Sequence, residues 1–203
     1  MTIACLDLEG VLIPEVWINV AEKTGIPELK LTTRDIADYD ELMQKRLSIL
    51  DQHGLTLKNF QDVVAGMNPL EGAFEFLTWL KKQVEVIILS DTFREFAMPL
   101  IAQLQYPTIF CHSLVIDEQY RIQNYKLRQP DQKRKAVIAL KNLNFRIIAI
   151  GDSYNDLSML QESDSGIFFR PTEKITKEYP DFPVTRTYDA LKQYLCEHEG
   201  FTA

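Results

Sequence analysis

The 203-residue sequence predicts an α/β fold: a parallel sheet with helices on both faces, plus a small helical insertion after the first strand. Three observations predict it. Apolar runs at residues 3–8, 84–89, 146–150 and 166–169 are of strand length and apolar throughout, as in strands covered on both faces. Helical patterns around 96–104, 134–143 and 156–161 fall between the last three runs, and alternation of this kind builds βαβ units. Between 13 and 72 the rhythm stops, because no strand-like run appears and helical patterns follow one another.

Taken in order, the first run, "IACLDLEG", ends in two acids, Asp7 and Glu9, which the two-residue period of a strand turns the same way. The insertion then contains a clear helix over 38–51, where Tyr39, Leu42, Met43, Leu47 and Leu50 follow helical spacing. "NPLEG" at 68–72 supplies proline and glycine for a return, so the expected division is a core of 1–12 and 73–203 with an inserted module of 13–72. The second run delivers Ser90, Asp91 and Thr92 at its end. Between 106 and 127 two short β-like segments flank "DEQYR", the pattern of an antiparallel hairpin. A helix beginning near Pro130 and Asp131 carries Lys133 in its first turn. The third run, "RIIAI", opens into "GDSYND", bringing Asp152, Asn155 and Asp156. The tail from "YPDFP" to a last helix over 188–197 reads as structural.

Composition sets outer bounds. With 46% hydrophobic and 25% charged residues the chain can bury a substantial core. A net charge of -7 gives no general electrostatic reason to bind nucleic acid or an anionic membrane. Cys5, Cys111 and Cys196 have neither close pairing nor zinc-type spacing, which suits a reducing compartment. No run approaches the roughly 20 apolar residues of a membrane span, and no secretory signal opens the sequence, so a cytoplasmic location is expected.

In open α/β sheets ligands bind beyond the carboxyl ends of the strands, where this sequence places its acids. Gathered carboxylates repel one another unless a cation binds, and hard oxygen ligands favour Mg²⁺, whose coordination substrate phosphate commonly completes. Lys133 continues the apolar stripe of Ala136, Val137 and Leu140 in a helical turn where the macrodipole disfavours a cation, so something negative is expected opposite it. With Ser90 added, the set suits a phosphoryl group, and a carboxylate beside Mg²⁺ can accept phosphate as a nucleophile.

"DLEG", "LSDT", Lys133 and "GDSYND", in that order, resemble the four motifs of the haloacid dehalogenase-like (HAD) phosphatases, and the insertion matches the helical cap of that family. The resemblance implies Asp7 as nucleophile and Glu9 as general acid/base. It also implies Ser90 and Lys133 as phosphate ligands, with Mg²⁺ held by Asp7, Asp152 and the backbone carbonyl of Glu9. Position 9 departs from the aspartate usual there, by one methylene and with a similar reference pKa (about 4.3 against about 3.9).

Arg46 lies between Met43 and Leu50 on the apolar stripe of its helix, suited to hold a carboxylate through two parallel hydrogen bonds. Arg34 is the alternative for that role, and pairing with Glu41 or Asp51 the bland reading of Arg46. Glu15 could hold an ammonium group. Phosphate, carboxylate and ammonium on one small alcohol describe phosphoserine. "ACLDLEGVLIPEVW", "MQKRLSIL" and "VIILSDTF" resemble the phosphoserine phosphatase branch, and Glu9 with "GDSYND" is similar to its bifunctional members, in which homoserine replaces water as acceptor. That likeness implies substrate contacts from Glu15, Arg46, Ser90, Asp91, Lys133 and Asn155, and a monomer or homodimer acting on small molecules. The alternatives are another small phosphomonoester as substrate, or a module that accepts phosphate without turnover. His53, His112 and His198 have no clustered partners and read as structural or exposed.

Overall fold

The computed structural model describes residues 1–32, 35–36 and 38–202. Seven strands form one sheet: β1 (Thr2–Leu6), β2 (Glu85–Phe93), β3 (Thr108–Ile116), β4 (Ile122–Lys126), β5 (Arg146–Gly151), β6 (Ser165–Phe169) and β7 (Val184–Thr185). Their order is β4-β3-β2-β1-β5-β6-β7, parallel except where β4 returns antiparallel on β3 as the expected hairpin. The chain builds outward from β1 in one direction through β2 and β3, then crosses to the other side through β5 and β6. That reversal makes β1 and β5 the switch point where a crevice opens.

The run "IACL" is apolar throughout because successive side chains enter two different cores. Ala4 and Leu6 face one layer with Ile88, Ile148, Ile150 and Phe169. Ile3 and Cys5 face the other with Leu89, Ile147, Ala149 and Phe168. Each fully buried aliphatic side chain here contributes roughly 1.5–3 kcal/mol, so a polar residue is tolerated only beyond the strand end. The first polar side chain past its carboxyl end is Asp7.

On the first face lie α1 (Val16–Thr24), α3 (Leu57–Ala65), α4 (Ala73–Gln83), α5 (Arg94–Gln103) and α9 (Tyr188–Glu199); on the second lie α6 (Gln132–Asn142), α7 (Leu157–Glu162) and α8 (Glu173–Glu178). The helix expected over 38–51 is α2 (Tyr39–Gln52), started by Asp38, whose carboxylate accepts from the Glu41 N–H at 2.8 Å. Between β1 and β2 the described residues form helices joined by turns, loops and two isolated bridges, with no strand among them. Residues 73–83 form α4, burying Ala73, Phe76, Leu77 and Leu80 at i, i+3, i+4 and i+7. Among the described residues no helix is long and apolar enough to cross a membrane.

Backbone bonds tie the inserted helices to the hairpin. The Leu57 N–H at the start of α3 donates to the Tyr120 carbonyl at 2.9 Å. From the opposite side, the Tyr188 hydroxyl of α9 donates to the Val11 carbonyl at 2.6 Å, fixing the turn that follows Glu9.

Candidate active site

Register brings the strand ends together. Leu6 lies opposite Ile88 of β2 and Ile150 of β5, so Asp7, Ser90 and Asp152 emerge at one edge of the sheet. Asp7 is anchored by its own N–H to the Ile150 carbonyl at 2.9 Å. Asp7, Asp152 and Asp156 each offer an oxygen within 4.8 Å of the others, close enough to share one ion. Two glycines make room for this convergence. A Cβ on Gly10, whose φ of +79° already favours glycine, would lie 2.6 Å from Asp152 Oδ2, and one on Gly151 would lie 2.4 Å from the Asp156 Cβ.

Lys133 answers the anomaly in its helix. It is 2% exposed, with Nζ 2.8 Å from Asp7 Oδ1, 2.7 Å from Asp156 Oδ1 and 3.7 Å from Asp91 Oδ2. An unfavourable dipole interaction costs about 0.3–1 kcal/mol, whereas each hydrogen bond to a charged group contributes about 1.5–3 kcal/mol; the acids win. Burial opposes the ammonium, but Asp156, Asp7 and Asp91 outweigh it and hold the lysine well above its ordinary pKa. The Asp7 carboxyl is nevertheless also pushed up, by burial and then by Asp156, with Lys133 only partly offsetting them. The neighbouring acids contribute to both shifts, raising Lys133 against burial and adding to the burial that raises Asp7. Asp152 is pushed up to about 7 by burial first, then by Asp156 and Glu15.

Asp156 is a site residue that sequence reasoning delivered to the strand end without giving it a role. It is fully buried; Oδ1 takes Lys133, while Oδ2 accepts from the N–H groups of Asp152 at 2.9 Å and Ser153 at 3.1 Å. It therefore shapes the "GDSYND" turn and fixes the lysine. His112 was also missed. It is buried, its Nδ1 accepts from the Arg128 N–H at 3.1 Å, and its Nε2 lies 3.5 Å from Asp91 Oδ1. No sequence spacing signals this, because the pairing of Phe93 with His112 between β2 and β3 creates the proximity.

Ser90 is buried, its Oγ accepting from the Thr92 N–H at 3.2 Å and its carbonyl accepting from Gln132 Nε2 at 2.7 Å. Asp91 is surrounded by donors: Gln132 Nε2 at 3.1 Å and Asn155 Nδ2 at 3.2 Å, besides His112 and Lys133. Burial pushes its carboxyl up, but Lys133 and these hydrogen bonds outweigh burial and hold it well below the usual carboxylate range. Glu9 Oε2 accepts from the Val16 N–H, the first of α1, at 2.9 Å.

Asp7, Glu9, Ser90, Asp91, Asp152 and Asn155 line one cleft of about 180 Å³ together with Glu15, Trp17, Tyr39 and Arg46. Arg46 is 6% exposed. Its Nη2 donates to the Leu31 carbonyl at 2.7 Å, its guanidinium lies 4.2 Å from the centre of the Trp17 ring, and its Nε has no hydrogen-bond partner. No carboxylate among the described residues forms an ion pair with it, although Glu9 and Glu15 act on it through space. Burial lowers its pKa to about 10, still charged at neutral pH. Glu41 and Asp51 are therefore not its partners, and Arg34, its alternative, lies outside the described residues. All the residues expected at the site, Asp7, Glu9, Glu15, Arg46, Ser90, Asp91, Asp152 and Asn155, line this cleft, and Lys133 reaches Asp7 beneath it.

Comparison with known proteins places the chain in a family. Residues 1–164 match the family described as "Hydrolase: haloacid dehalogenase-like hydrolase". The chain is 58% identical over 193 residues to phosphoserine phosphatase ThrH of Pseudomonas aeruginosa, covering 95% of this chain and 94% of the relative. It is 56% identical to a phosphoserine phosphatase of Pseudomonas syringae pv. tomato, covering 94% of this chain and 81% of the relative. A solved phospho-aspartyl intermediate analogue of phosphoserine phosphatase shares the fold at a TM-score of 0.77, with 19% identity over 97% of this chain and 98% of that one. The chain belongs to the haloacid dehalogenase-like hydrolase family.

Proposed function

We propose that this protein is a phosphoserine phosphatase that works through an aspartyl phosphate on Asp7, and that homoserine can replace water as the acceptor. The observation that carries the reading is a single cleft with a surplus of carboxylates around Lys133 and a buried guanidinium, Arg46, that no carboxylate of the described residues pairs with. A small ester bearing phosphate at one end and carboxylate at the other fits both. The high identity to relatives named phosphoserine phosphatase supports the same substrate.

The acid cluster suits Mg²⁺. Its donors are hard oxygens converging within 4.8 Å, they carry excess negative charge, and the absence of a side chain on Gly10 keeps space against Asp152. Asp7, Asp152 and the backbone carbonyl of Glu9 would hold the ion, which when bound supplies positive charge to the phosphoryl oxygens. Asp156 is committed to Lys133 and to two backbone N–H groups, so it supports the site from behind.

In the first half-reaction an Asp7 carboxylate oxygen attacks phosphorus and the ester O–P bond breaks. The departing serine oxygen takes the proton of the Glu9 carboxyl. Lys133 and the Leu8 N–H already hold Asp7 Oδ1 at 2.8 and 2.7 Å, leaving Oδ2 as the attacking atom. Glu9, held through Oε2 by the Val16 N–H, keeps Oε1 for the proton. In the second half-reaction the Glu9 carboxylate takes a proton from water, or from the homoserine hydroxyl, as that oxygen attacks phosphorus and frees Asp7. Ser90 and Lys133 bind the phosphoryl oxygens, Arg46 the carboxylate, Glu15 the ammonium group, and Asp91 and Asn155 complete the substrate contacts. Residues 13–72 act as a lid that limits water during transfer. Among the described residues all three cysteines are free thiols, which suits action in the cytoplasm, as a monomer or homodimer.

Incubation with phosphoserine and Mg²⁺, with and without homoserine, followed by identification of the phosphorylated products, tests the reading. Inorganic phosphate is expected in both, with O-phosphohomoserine in the second, and Asp7→Asn is expected to cut turnover by about 10⁴-fold or more. Rapid hydrolysis of sugar phosphates with phosphoserine untouched would overturn it.

A further inference from the structure

Arg46 poses a problem of physical chemistry. A buried guanidinium needs something to hold its charge and aim, and the usual solution, an internal carboxylate, would occupy the donors a substrate carboxylate needs. Here the cation lies over an aromatic ring and touches only uncharged groups along its edge, with Nε left unpartnered. The Trp17 ring lies 4.2 Å from Arg46 Cζ, while Nη2 is steadied by the uncharged Leu31 carbonyl and Nη1 approaches Met43 Sδ at 3.8 Å. A cation over an aromatic face is stabilised by the ring quadrupole while its in-plane N–H groups keep their hydrogen-bonding capacity. The platform is itself fixed. Trp17 meets Phe60 of α3 edge-on at 5.1 Å and Phe96 of α5 at 5.6 Å, and Phe60 stacks on Phe96 at 4.4 Å. Its ring is therefore clamped between the inserted helices and the helix that follows β2, and it lines the same cleft as Asp7 and Arg46.

We propose that Trp17 is a specificity-determining positioning residue, which holds Arg46 charged, aimed and unneutralised so that the cleft selects phosphate esters bearing a carboxylate. The inference rests on the reading of Arg46 as the carboxylate-binding group. Trp17 acts through Arg46 and takes no part in the phosphoryl chemistry, so its loss should change KM and not kcat, and only for substrates with a carboxylate.

The comparison pair is phosphoserine and O-phosphoethanolamine, which differ by that carboxylate alone. Trp17→Leu is expected to raise KM for phosphoserine about tenfold, with kcat within about twofold and KM for phosphoethanolamine unchanged. Trp17→Phe, which keeps an aromatic face, should recover most of the loss, and Trp17→Leu should add nothing in an Arg46→Ala background. Equal KM changes for both substrates, or an undiminished penalty in the Arg46→Ala background, would overturn the proposal. If Arg46→Ala itself affects both substrates equally, the carboxylate reading of Arg46 falls and this inference with it. If Arg46→Ala discriminates and Trp17→Leu does not, only the role of Trp17 falls.

A second readout keeps Trp17 in place and so does not depend on the folding of Trp17→Leu. The chain has two tryptophans, and Trp79 lies against Phe76, away from the cleft. In a Trp79→Phe, Asp7→Asn protein, phosphoserine should shift the Trp17 emission and phosphoethanolamine should not. Identical responses to the two ligands would overturn the proposal.

Discussion

The two ends of the cleft fail to balance their charges, and they fail in opposite directions. At the sheet end, Asp7, Asp91, Asp152 and Asp156 surround one ammonium, Lys133. At the far end, under α2, one guanidinium is buried against an aromatic ring with its Nε unpartnered and no carboxylate of the described residues paired to it. Burying an unpaired charge is expensive, and folding normally avoids it. Under the proposed function, ligands complete each imbalance in turn: a cation with a phosphoryl group at the sheet end, a carboxylate at the other.

The largest effect separates the ends directly. Lys133→Met removes the one cation of the acid cluster and should lower kcat/KM by about 10³-fold, equally for phosphoserine and phosphoethanolamine, because both carry the phosphoryl group. Arg46→Ala should lower kcat/KM by about 10–150-fold, the worth of a hydrogen-bonded charge pair, and for phosphoserine alone. Steady-state kinetics on the two esters checks both. A Lys133 variant that discriminates between them, or an Arg46 variant that does not, would break the assignment of one end to phosphate and the other to carboxylate.

The next effect is smaller and belongs to the sheet end alone. Gly10→Ala places a methyl where Asp152 Oδ2 now lies, at 2.6 Å, on a backbone with φ of +79°. The Asp152 carboxylate must shift from its present position. Mg²⁺ affinity, read by calorimetry or by the activity midpoint of a metal titration, should weaken about tenfold. Saturating Mg²⁺ should restore most of the activity, with the preference for carboxylate-bearing esters intact. A lost preference would mean that the two ends are coupled more tightly than their geometry implies.

Much of this contrast was legible in the sequence because it consists of residues in the wrong company. Lys133 and Arg46 interrupt apolar stripes on α6 and α2, and Asp7 ends a strand otherwise buried on both faces. Violations of local pattern are readable without a structure, and here they fall at the site. Asp156 and His112 were not readable as site residues for the converse reason. Asp156 sits in a capping turn with Ser153, an ordinary local position for an aspartate, and only the approach of Lys133 from α6 gives it a further task. His112 occupies a strand whose parallel register with β2 brings it to Asp91. Trp17 obeyed its pattern completely, as one more apolar residue of α1, so nothing distinguished it until Arg46 lay across its ring.

The smallest effect is one of pH, and it belongs to the buried acids of the sheet end. Asp152 has its pKa pushed up to about 7, by burial first and then by Asp156 and Glu15, against an ordinary value of 3.8. Its protonated form therefore favours the folded state. The stability it contributes is fully present below about pH 4 and is lost as pH rises towards 7, because the native state binds a proton that the unfolded state has released. Asp7, shifted in the same direction, adds to the slope. Without metal, the melting temperature should fall on the order of 5 °C between pH 5 and pH 7.5, and this component should be absent in Asp152→Asn, which cannot ionise there. With Mg²⁺ the trend should weaken or reverse, since the ion binds the ionised carboxylates and stabilises the fold more as they form. Arg46→Ala should leave this metal-dependent slope unchanged, because its charge lies at the other end of the cleft. Parallel melting curves for wild type and Asp152→Asn would show that Lys133 alone balances the acids, and the case for a cation at this end would lose its electrostatic support.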